Sequence, residues 1–186
     1  MTDLVVKNKF CDNVDAETMG DQQPFGKEGC MLRVRRSEKS DKAGIIKQAR
    51  AFFAASPMAS RVGFDADGFG AFLDQVDASN AAQVWVVDKA GKIVGIAGVM
   101  AFPLYFAPSV TIAQELFWWI DPAERGTNAA KQMMFEIEDW AAQIGANQLF
   151  MIALENERAA IMERIYSSRG FSPIERTFTK EINHGH

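Results

Sequence analysis

Apolar and polar residues repeat with a changing period along the chain, and the period predicts a succession of strands and helices. Residues 31–35 alternate apolar and charged side chains, which is typical of a strand with one buried face. Two helices follow over 41–55 and 67–76, because apolar residues recur there at helical spacing. The β-branched runs 83–87 and 93–100 flank a short polar turn that contains glycine, so they predict a β-hairpin.

The second half of the chain continues this pattern and completes the prediction of a mixed α/β domain. Residues 112–120 predict a strand that is apolar on both sides, and we expect both of its faces to be buried. Residues 128–144 predict the clearest helix, whose apolar stripe ends at Gly145. The remaining predicted elements are a strand at 148–154, a helix at 158–168 and a closing strand at 175–182.

Composition favours a single domain with an extension at its start. A chain of 186 residues with 48% hydrophobic and 24% charged content is long enough to bury one sizeable core. Residues 1–30 lack apolar periodicity and predict an N-terminal arm, whereas residues 31–186 predict the folded domain. The two cysteines, Cys11 and Cys30, are too few for a disulfide scaffold, so we expect reduced thiols.

Charge and hydropathy argue against two classes of partner. The net charge of −4 and the pI near 5.3 disfavour binding of nucleic acid through a broad basic surface. No apolar stretch reaches roughly 18 residues and the start lacks the order of a signal peptide, so we expect a cytoplasmic protein without a membrane partner. His184 and His186 have no companions at metal-ligand spacing, so no metal is predicted.

A strand, a tight polar turn and a helix meet in the segment 118–130, and this arrangement predicts a phosphate site. The turn Asp121–Gly126 leads directly into the helix. Unpaired backbone N–H groups at a helix start bind phosphate together with the positive end of the helix dipole. The alternative interpretation is an ordinary helix start that is capped by Thr127 or Asn128.

The same segment resembles the acyl-CoA signature of the GNAT family of N-acetyltransferases. The signature has Arg or Gln, two residues, Gly, one residue, and then Gly or Ala, and its ends match Arg125 and Ala130. Asn128 stands where the family usually has Gly; Asn tolerates a left-handed backbone, but its side chain is large enough to crowd a pyrophosphate. Residues 165–171 are similar to the Leu-Tyr, three residues, Gly-Phe ending of the family's last helix. Residues 115–120 are similar to GNAT-type proteins encoded by bacteriophages.

The resemblance implies a fold and a co-substrate. It implies a GNAT-type mixed, mainly antiparallel twisted sheet of about six or seven strands flanked by about four helices. In this family the fourth and fifth strands splay apart, and the pantetheine arm of acetyl-CoA lies between them, bonded to backbone groups of the fourth strand. The residues that the resemblance assigns to acetyl-CoA are Trp118, Ile120, Arg125, Gly126, Thr127, Asn128, Ala129 and Ala130.

Two residues are candidates for proton transfer. The resemblance implies that the Tyr166 hydroxyl protonates the departing thiolate; the alternative is an aromatic residue that packs the last helix on the sheet. Glu115 is either an exposed strand carboxylate or, if it is buried, a base with a raised pKa. Trp118 and Trp119 face opposite ways on a regular strand, so at most one of them lines an acceptor pocket.

The function implied by the resemblance is transfer of an acetyl group from acetyl-CoA to a primary amine of a small molecule or a protein. The alternative is a GNAT-fold protein without catalysis that serves as a binding or structural component. We expect the acceptor to contact the loops at 56–70 and 101–111. In the second loop, the apolar cluster Phe102–Phe106 lines either a substrate pocket or a homodimer contact.

Overall fold

The computed structural model describes residues 32–156 and 158–182. The predicted N-terminal arm, both cysteines and both histidines therefore lie outside the described residues.

The described chain contains five strands and four α-helices. The strands are β1 (Leu32–Arg36), β2 (Ala82–Lys89), β3 (Lys92–Leu104), β4 (Ala107–Ile120) and β5 (Gln148–Phe150). The helices are α1 (Lys42–Ala54), α2 (Ala66–Asp77), α3 (Ala129–Gln143) and α4 (Ala159–Ser168). Short 3₁₀ turns occupy Lys39–Asp41, Pro57–Ser60 and Pro122–Glu124.

Local sequence signals explain several of the boundaries. The Asp65 carboxylate accepts hydrogen bonds from the backbone N–H groups of Asp67 and Gly68, at 3.1 and 2.9 Å, and so caps the start of α2. Gly145 follows α3 with a φ of +73°, the left-handed conformation that commonly ends a helix. The turn between β2 and β3 places Ala90 and Gly91 at φ values of 50° and 80°, as a tight hairpin turn requires.

The strands form one sheet in sequence order, β1-β2-β3-β4-β5. The first four strands are joined as antiparallel neighbours, whereas β4 and β5 run parallel. A parallel neighbour needs a crossover connection, and α3 provides it between β4 and β5. The sheet is therefore a long antiparallel meander with one short parallel strand at its edge.

Helices cover both faces of the sheet and create two apolar cores. On one face, Met133 of α3 is fully buried against a cluster that includes Trp85. On the other face, Ile45 of α1 and Leu73 of α2 are buried with Ile96. Burial of apolar surface on both faces is the main source of stability for a sheet of this kind.

The predicted α/β fold with four helices is confirmed, and two strand predictions need correction. Residues 171–182 have no regular structure, so the closing strand predicted at 175–182 is wrong and the described sheet has five strands rather than six or seven. On a strand, Ile174, Phe178 and Ile182 would share one face with Arg176 and Lys180 between them, so that face has no continuous apolar run, and all three apolar residues are exposed. The strand predicted at 148–154 ends early, at Phe150.

A bulge in β4 changes the direction of its side chains. Glu115 pairs with Val99 and Phe117 pairs with Gly98, so Leu116 is an extra residue in β4. The Phe117 ring lies close to Gly98, where an added Cβ would come within 2.5 Å of Phe117 Cζ. A bulge of this kind reverses the alternation of faces for every residue that follows it.

The reversal is visible in the core that each β4 side chain joins. Ala113, before the bulge, belongs to the core under α3. Phe117 lies four positions after Ala113, so the two would face the same core on a regular strand. Phe117 instead belongs to the core under α1 and α2, and Trp119 packs against that core. Trp118 and Ile120 pack against the core under α3. Each face of β4 beyond the bulge therefore carries one of the adjacent tryptophans.

Candidate active site

A cleft opens where β5 leaves β4. The two strands pair only from Ile112 to Gln114 with Gln148 to Phe150, and β4 then runs on to Ile120 while β5 ends. Backbone N–H and C=O groups on this edge of β4 beyond Gln114 are not bonded to β5, so they can bond a ligand. The cleft has a volume of about 1170 Å³, which is large for a small-molecule site.

The cleft passes from one face of the sheet to the other. Trp118 packs on the α3 side and Trp119 on the α1 side, yet both line this cleft. Both border the cleft because a gap at the strand edge is flanked by both faces of the strand, and the prediction that at most one of them lines an acceptor pocket stays a prediction.

Glu115 is a buried carboxylate at this edge. It is 5% exposed, and its Oε2 atom accepts hydrogen bonds from the Ile152 backbone N–H and from the Tyr166 hydroxyl, each at 3.2 Å. Burial raises the pKa of Glu115 to about 7, and the two hydrogen bonds oppose that rise. Of the two environments considered from the sequence, the structure places Glu115 in the buried one.

Tyr166 projects from α4 into the same cleft. Its ring packs near Trp118 and Phe171, with centroids 6.2 and 5.7 Å away, and the residue is 7% exposed. Its hydroxyl lies 3.0 Å from the Ile152 carbonyl oxygen as well as near Glu115. Burial raises the pKa of Tyr166 further above its usual value, and the charge of Glu115 acts in the same direction. The phenol is therefore protonated at neutral pH.

The direction of the hydrogen bond between the two side chains depends on the protonation state of Glu115. When Glu115 is ionised, the Tyr166 hydroxyl can donate to it. When Glu115 is protonated, its O–H can donate to the Tyr166 oxygen while the Tyr166 hydroxyl donates to the Ile152 carbonyl. The same arrangement of heavy atoms satisfies both protonation states, so a proton can pass between the two groups without a large movement.

The turn before α3 borders the cleft with Gly126 and Thr127. Gly126 has a φ of +81°, a backbone conformation that costs other residues conformational free energy. The Thr127 hydroxyl donates to the Glu124 carbonyl at 2.8 Å and accepts from the Ala129 N–H at 3.4 Å. The first N–H groups of a helix have no partner within the helix, and they favour a phosphate at this end.

Asn128 does not need the conformational freedom of glycine. Its φ and ψ are −73° and −5°, in the right-handed region, and its side chain makes no capping hydrogen bond. The left-handed residue of the turn is Gly126 instead. Substitution of the family's usual glycine by asparagine at position 128 therefore leaves the backbone of this turn unstrained.

The residues predicted to bind acetyl-CoA divide into those that line the cleft and those that do not. Asn128 and Ala129 do not line the cleft, and the Ala129 side chain is buried in the core under α3. The predicted residues that do line it are Trp118, Ile120, Arg125, Gly126, Thr127 and Ala130.

Arg125 links this turn to the end of β4. Its Nε donates to the Ile120 carbonyl at 2.9 Å, and its guanidinium carbon lies 4.6 Å from the centroid of the Trp119 ring. The guanidinium thus forms a cation–π contact with one face of the indole. Arg125 therefore positions the turn on the strand and also borders the α1 side of the cleft.

One polar residue at the site was not predicted from the sequence. Gln48 of α1 is 3% exposed; its Nε2 donates to the Ile93 carbonyl at 2.9 Å, and its Oε1 accepts from the Trp119 indole N–H at 3.1 Å. The available signal was a polar residue beside Ile45, Ala49 and Phe52 in the apolar stripe of α1. Buried polar side chains in such a stripe almost always have specific partners.

Residues 32–156 and 158–182 contain no group of three or more His, Cys, Asp or Glu residues that could hold a metal ion. Within the same ranges, no helix combines the length and apolar character needed to cross a bilayer.

A mixed sheet with a gap between β4 and β5, closed by a turn and the start of α3, is the α/β arrangement that the sequence resemblance implied. Residues 50–171 match the model of the acetyltransferase (GNAT) family. The chain belongs to the GNAT acetyltransferase family. No curated protein matches the sequence.

Solved structures with the same fold include proteins of several descriptions. A transcriptional regulator from Bacillus halodurans C-125 is 14% identical, with a TM-score of 0.65 over 82% of this chain and 100% of that chain. The aminoglycoside N-acetyltransferase AAC(6')-Iy in complex with CoA is 14% identical, with a TM-score of 0.66 over 85% and 99%. A Trypanosoma brucei acetyltransferase is 17% identical, with a TM-score of 0.63 over 82% and 100%. At these identities the likeness shows a shared fold.

Proposed function

We propose that this chain is an N-acetyltransferase that transfers the acetyl group of acetyl-CoA to a primary amine of a small molecule. The observation that carries the proposal is the hydrogen-bonded pair of Glu115 and Tyr166 in the cleft between β4 and β5. The pair combines a carboxyl group whose pKa is about 7 with a protonated phenol. Such a pair suits proton transfer in both directions near neutral pH.

The residues of the cleft fit acetyl-CoA as co-substrate. The backbone of Gly126 and Thr127, with the amide of Ala130 at the start of α3, would hold the pyrophosphate. The edge of β4 from Trp118 to Ile120, which β5 does not pair with, would bond the amide groups of the pantetheine arm, and Ile161 and Ile165 of α4 offer apolar contact. The AAC(6')-Iy structure, which shares the fold, is described as a complex with CoA.

The proposed chemistry assigns one proton transfer to each member of the pair. Acetyl-CoA supplies a thioester, whose C–S bond breaks as the C–N bond of the amide forms. The ammonium form of the acceptor first gives one proton to solvent to become a nucleophile; as the C–N bond forms, the nitrogen gives a second proton to the Glu115 carboxylate. The Tyr166 hydroxyl gives its proton to the departing sulfur, and the proton held by Glu115 then restores the phenol across their 3.2 Å hydrogen bond.

Isothermal titration with acetyl-CoA and a thiol-release assay with an amine panel test the proposal. We expect saturable binding of acetyl-CoA, release of CoA only when an amine is present, and loss of that release in Glu115→Gln. Glu163→Gln is the matched control, because Glu163 is an exposed carboxylate of α4 that does not line the cleft. Full activity of Glu115→Gln would contradict the assignment of the base.

Absence of both acetyl-CoA binding and thiol release would favour the alternative of a catalytically inactive GNAT-fold binding protein. A protein acceptor, a cytoplasmic location, a phage origin, a homodimeric state and the division of the chain at residue 31 stay predictions from the sequence.

A further inference from the structure

The wall of the cleft on the α1 side of β4 consists of apolar side chains. It is formed by the end of α1, the turn that follows it, and the indole on the α1 face of β4. The large side chains of this wall, called the α1 wall below, are Phe52, Phe53, Met58, Val62 and Trp119.

Part of the α1 wall is exposed to solvent. Met58 is 44% exposed and Val62 is 54% exposed, and both border the same cleft. Large apolar side chains gathered around one concave site favour a ligand with apolar surface, because its binding removes that surface from water. The first acceptor loop predicted from the sequence, 56–70, contributes these two residues.

The second predicted loop does not contribute to the wall. Tyr105 and Phe106 lie at the turn between β3 and β4, are 77% and 82% exposed, and do not line the cleft. This cluster therefore lies outside the α1 wall, and both of its predicted roles, a substrate pocket and a homodimer contact, stay predictions.

The aromatic part of the α1 wall is held in a fixed orientation. Gln48 accepts a hydrogen bond from the Trp119 indole, and Arg125 covers one face of its ring. The Phe52 ring packs against Trp119 at 6.1 Å between centroids, and the Phe53 ring packs against Phe64 at 5.7 Å. Aromatic rings fixed in this way suit an aromatic ligand, whose ring gains edge and face contacts without ordering the wall.

The charges in the cleft disfavour an acceptor with several positive groups. Its lining carboxylates, among the described residues, are Glu115 and Glu124. Glu115 is buried beside Tyr166, and Glu124 forms an ion pair with Lys89 at 2.7 Å. An acceptor with several ammonium groups would thus meet apolar side chains where it needs anions.

We infer that the acceptor is a primary monoamine whose body is aromatic and which carries no second positive charge. This inference rests on the proposed function and narrows it to one substrate class. The inferred acceptor class is not taken from a structural neighbour. AAC(6')-Iy shares the fold, but it is named as an aminoglycoside acetyltransferase. The amine would enter from the α1 face and reach the β4 edge, where Glu115 lies.

Competing acceptors with the full-length protein and acetyl-CoA test the inference. The probes are 2-phenylethylamine and tryptamine as aromatic monoamines, spermidine and kanamycin as polycations, and a lysine-containing peptide as a protein mimic. We expect kcat/KM for the aromatic monoamines to exceed that for each of the others at least tenfold. A preference for spermidine, kanamycin or the peptide would overturn the inference while leaving the proposed acetyltransfer intact. Thiol release with none of the amines would overturn both.

A charge placed on the α1 wall gives a second test. Met58→Glu adds a carboxylate at an exposed position, so the fold is expected to tolerate it. We expect at least a tenfold fall in kcat/KM for 2-phenylethylamine, a rise for spermidine, and an unchanged KM for acetyl-CoA. Phe135→Glu is the matched control, because Phe135 is 61% exposed on α3 and does not line the cleft. Equal effects of the two substitutions on acceptor preference would overturn the inference.

Discussion

The Tyr166 hydroxyl oxygen lies 3.2 Å from Oε2 of Glu115, although 51 positions separate the two residues in the chain. The contact depends on two features of the fold. The bulge at Leu116 keeps Glu115 on the face that α4 covers while the following side chains change faces. The early end of β5 leaves room for α4 to bring Tyr166 to the β4 edge.

Replacement of Glu115 by glutamine should increase stability at alkaline pH while it abolishes turnover. The pKa of Glu115 is raised from 4.5 to about 7 in the folded protein, so the folded state holds more protons than the unfolded state between these values. The stability that this group contributes is thus complete below pH 4.5 and is lost as the pH rises through about 7. Because glutamine has no charge to bury, Glu115→Gln should gain up to about 3 kcal/mol relative to the native protein at pH 8.

Urea unfolding of both proteins at pH 5 and pH 8 measures this difference. The advantage of Glu115→Gln should be small at pH 5 and large at pH 8, and Glu163→Gln should show neither effect. An advantage of equal size at the two pH values would mean that the charge of Glu115 is not the cause.

Replacement of Tyr166 by phenylalanine should lower turnover and shift its pH dependence. Loss of a general acid costs on the order of 100-fold in turnover. The hydrogen bond from Tyr166 lowers the pKa of Glu115, so its loss should raise that pKa above about 7. The rising limb of activity against pH should therefore move to higher pH in Tyr166→Phe, with little change in the KM for acetyl-CoA. A lower rate without a shifted limb would indicate that the two groups do not interact during turnover.

The sequence was sufficient for the elements whose period is clear. The amphipathic patterns of 41–55 and 128–144 and the hairpin at 83–100 correspond to α1, α3 and the β2–β3 pair. The helices could be interpreted because one face of each is apolar and the other is polar, and the hairpin because two β-branched runs flank a short polar turn. The closing strand at 175–182 failed because Arg176 and Lys180 alternate with the large apolar residues on the same strand face, so the segment offers no continuous apolar face to a core.

The direction of the β4 side chains could not be predicted in the same way. Residues 116–120 are all apolar, so no alternation shows which side chain faces which core, and a bulge of one residue leaves no trace in such a run. The burial of Glu115 and the placement of both tryptophans in one cleft follow from that bulge and from the short β5. Both are tertiary features, and only the structure reveals them.

Replacement of Gly126 by alanine should weaken acetyl-CoA binding. Gly126 has a φ of +81°, which costs an L-residue roughly 1–2 kcal/mol, and no neighbouring atom blocks a Cβ there. Gly145→Ala is the matched control, because Gly145 has a φ of +73° and equally open surroundings at the other end of α3. Both variants should lose similar stability in thermal unfolding, but only Gly126→Ala should raise the dissociation constant for acetyl-CoA in isothermal titration. Equal affinities would exclude the turn at Gly126 from the pyrophosphate site.

Gln48 should affect acceptor binding through Trp119, although it does not line the cleft. Gln48→Met keeps a side chain of similar length but leaves the Ile93 carbonyl and the Trp119 indole N–H without their partner. An unsatisfied buried polar group costs about 1–3 kcal/mol, so the variant should be measurably less stable to urea. Gln143→Met is the matched control; Gln143 is exposed on α3, and loss of its bonds should change stability by less than about 0.5 kcal/mol.

The kinetic effect of Gln48→Met separates a positioning role from a purely structural one. If Gln48 fixes the indole of Trp119 in the α1 wall, the variant should raise the KM for an aromatic amine several-fold while the KM for acetyl-CoA stays constant. A general loss of structure would change both constants or reduce the active fraction instead. An unchanged KM for the amine, with the expected loss of stability, would show that the Trp119 orientation does not depend on its hydrogen bond and would remove Gln48 from the acceptor site.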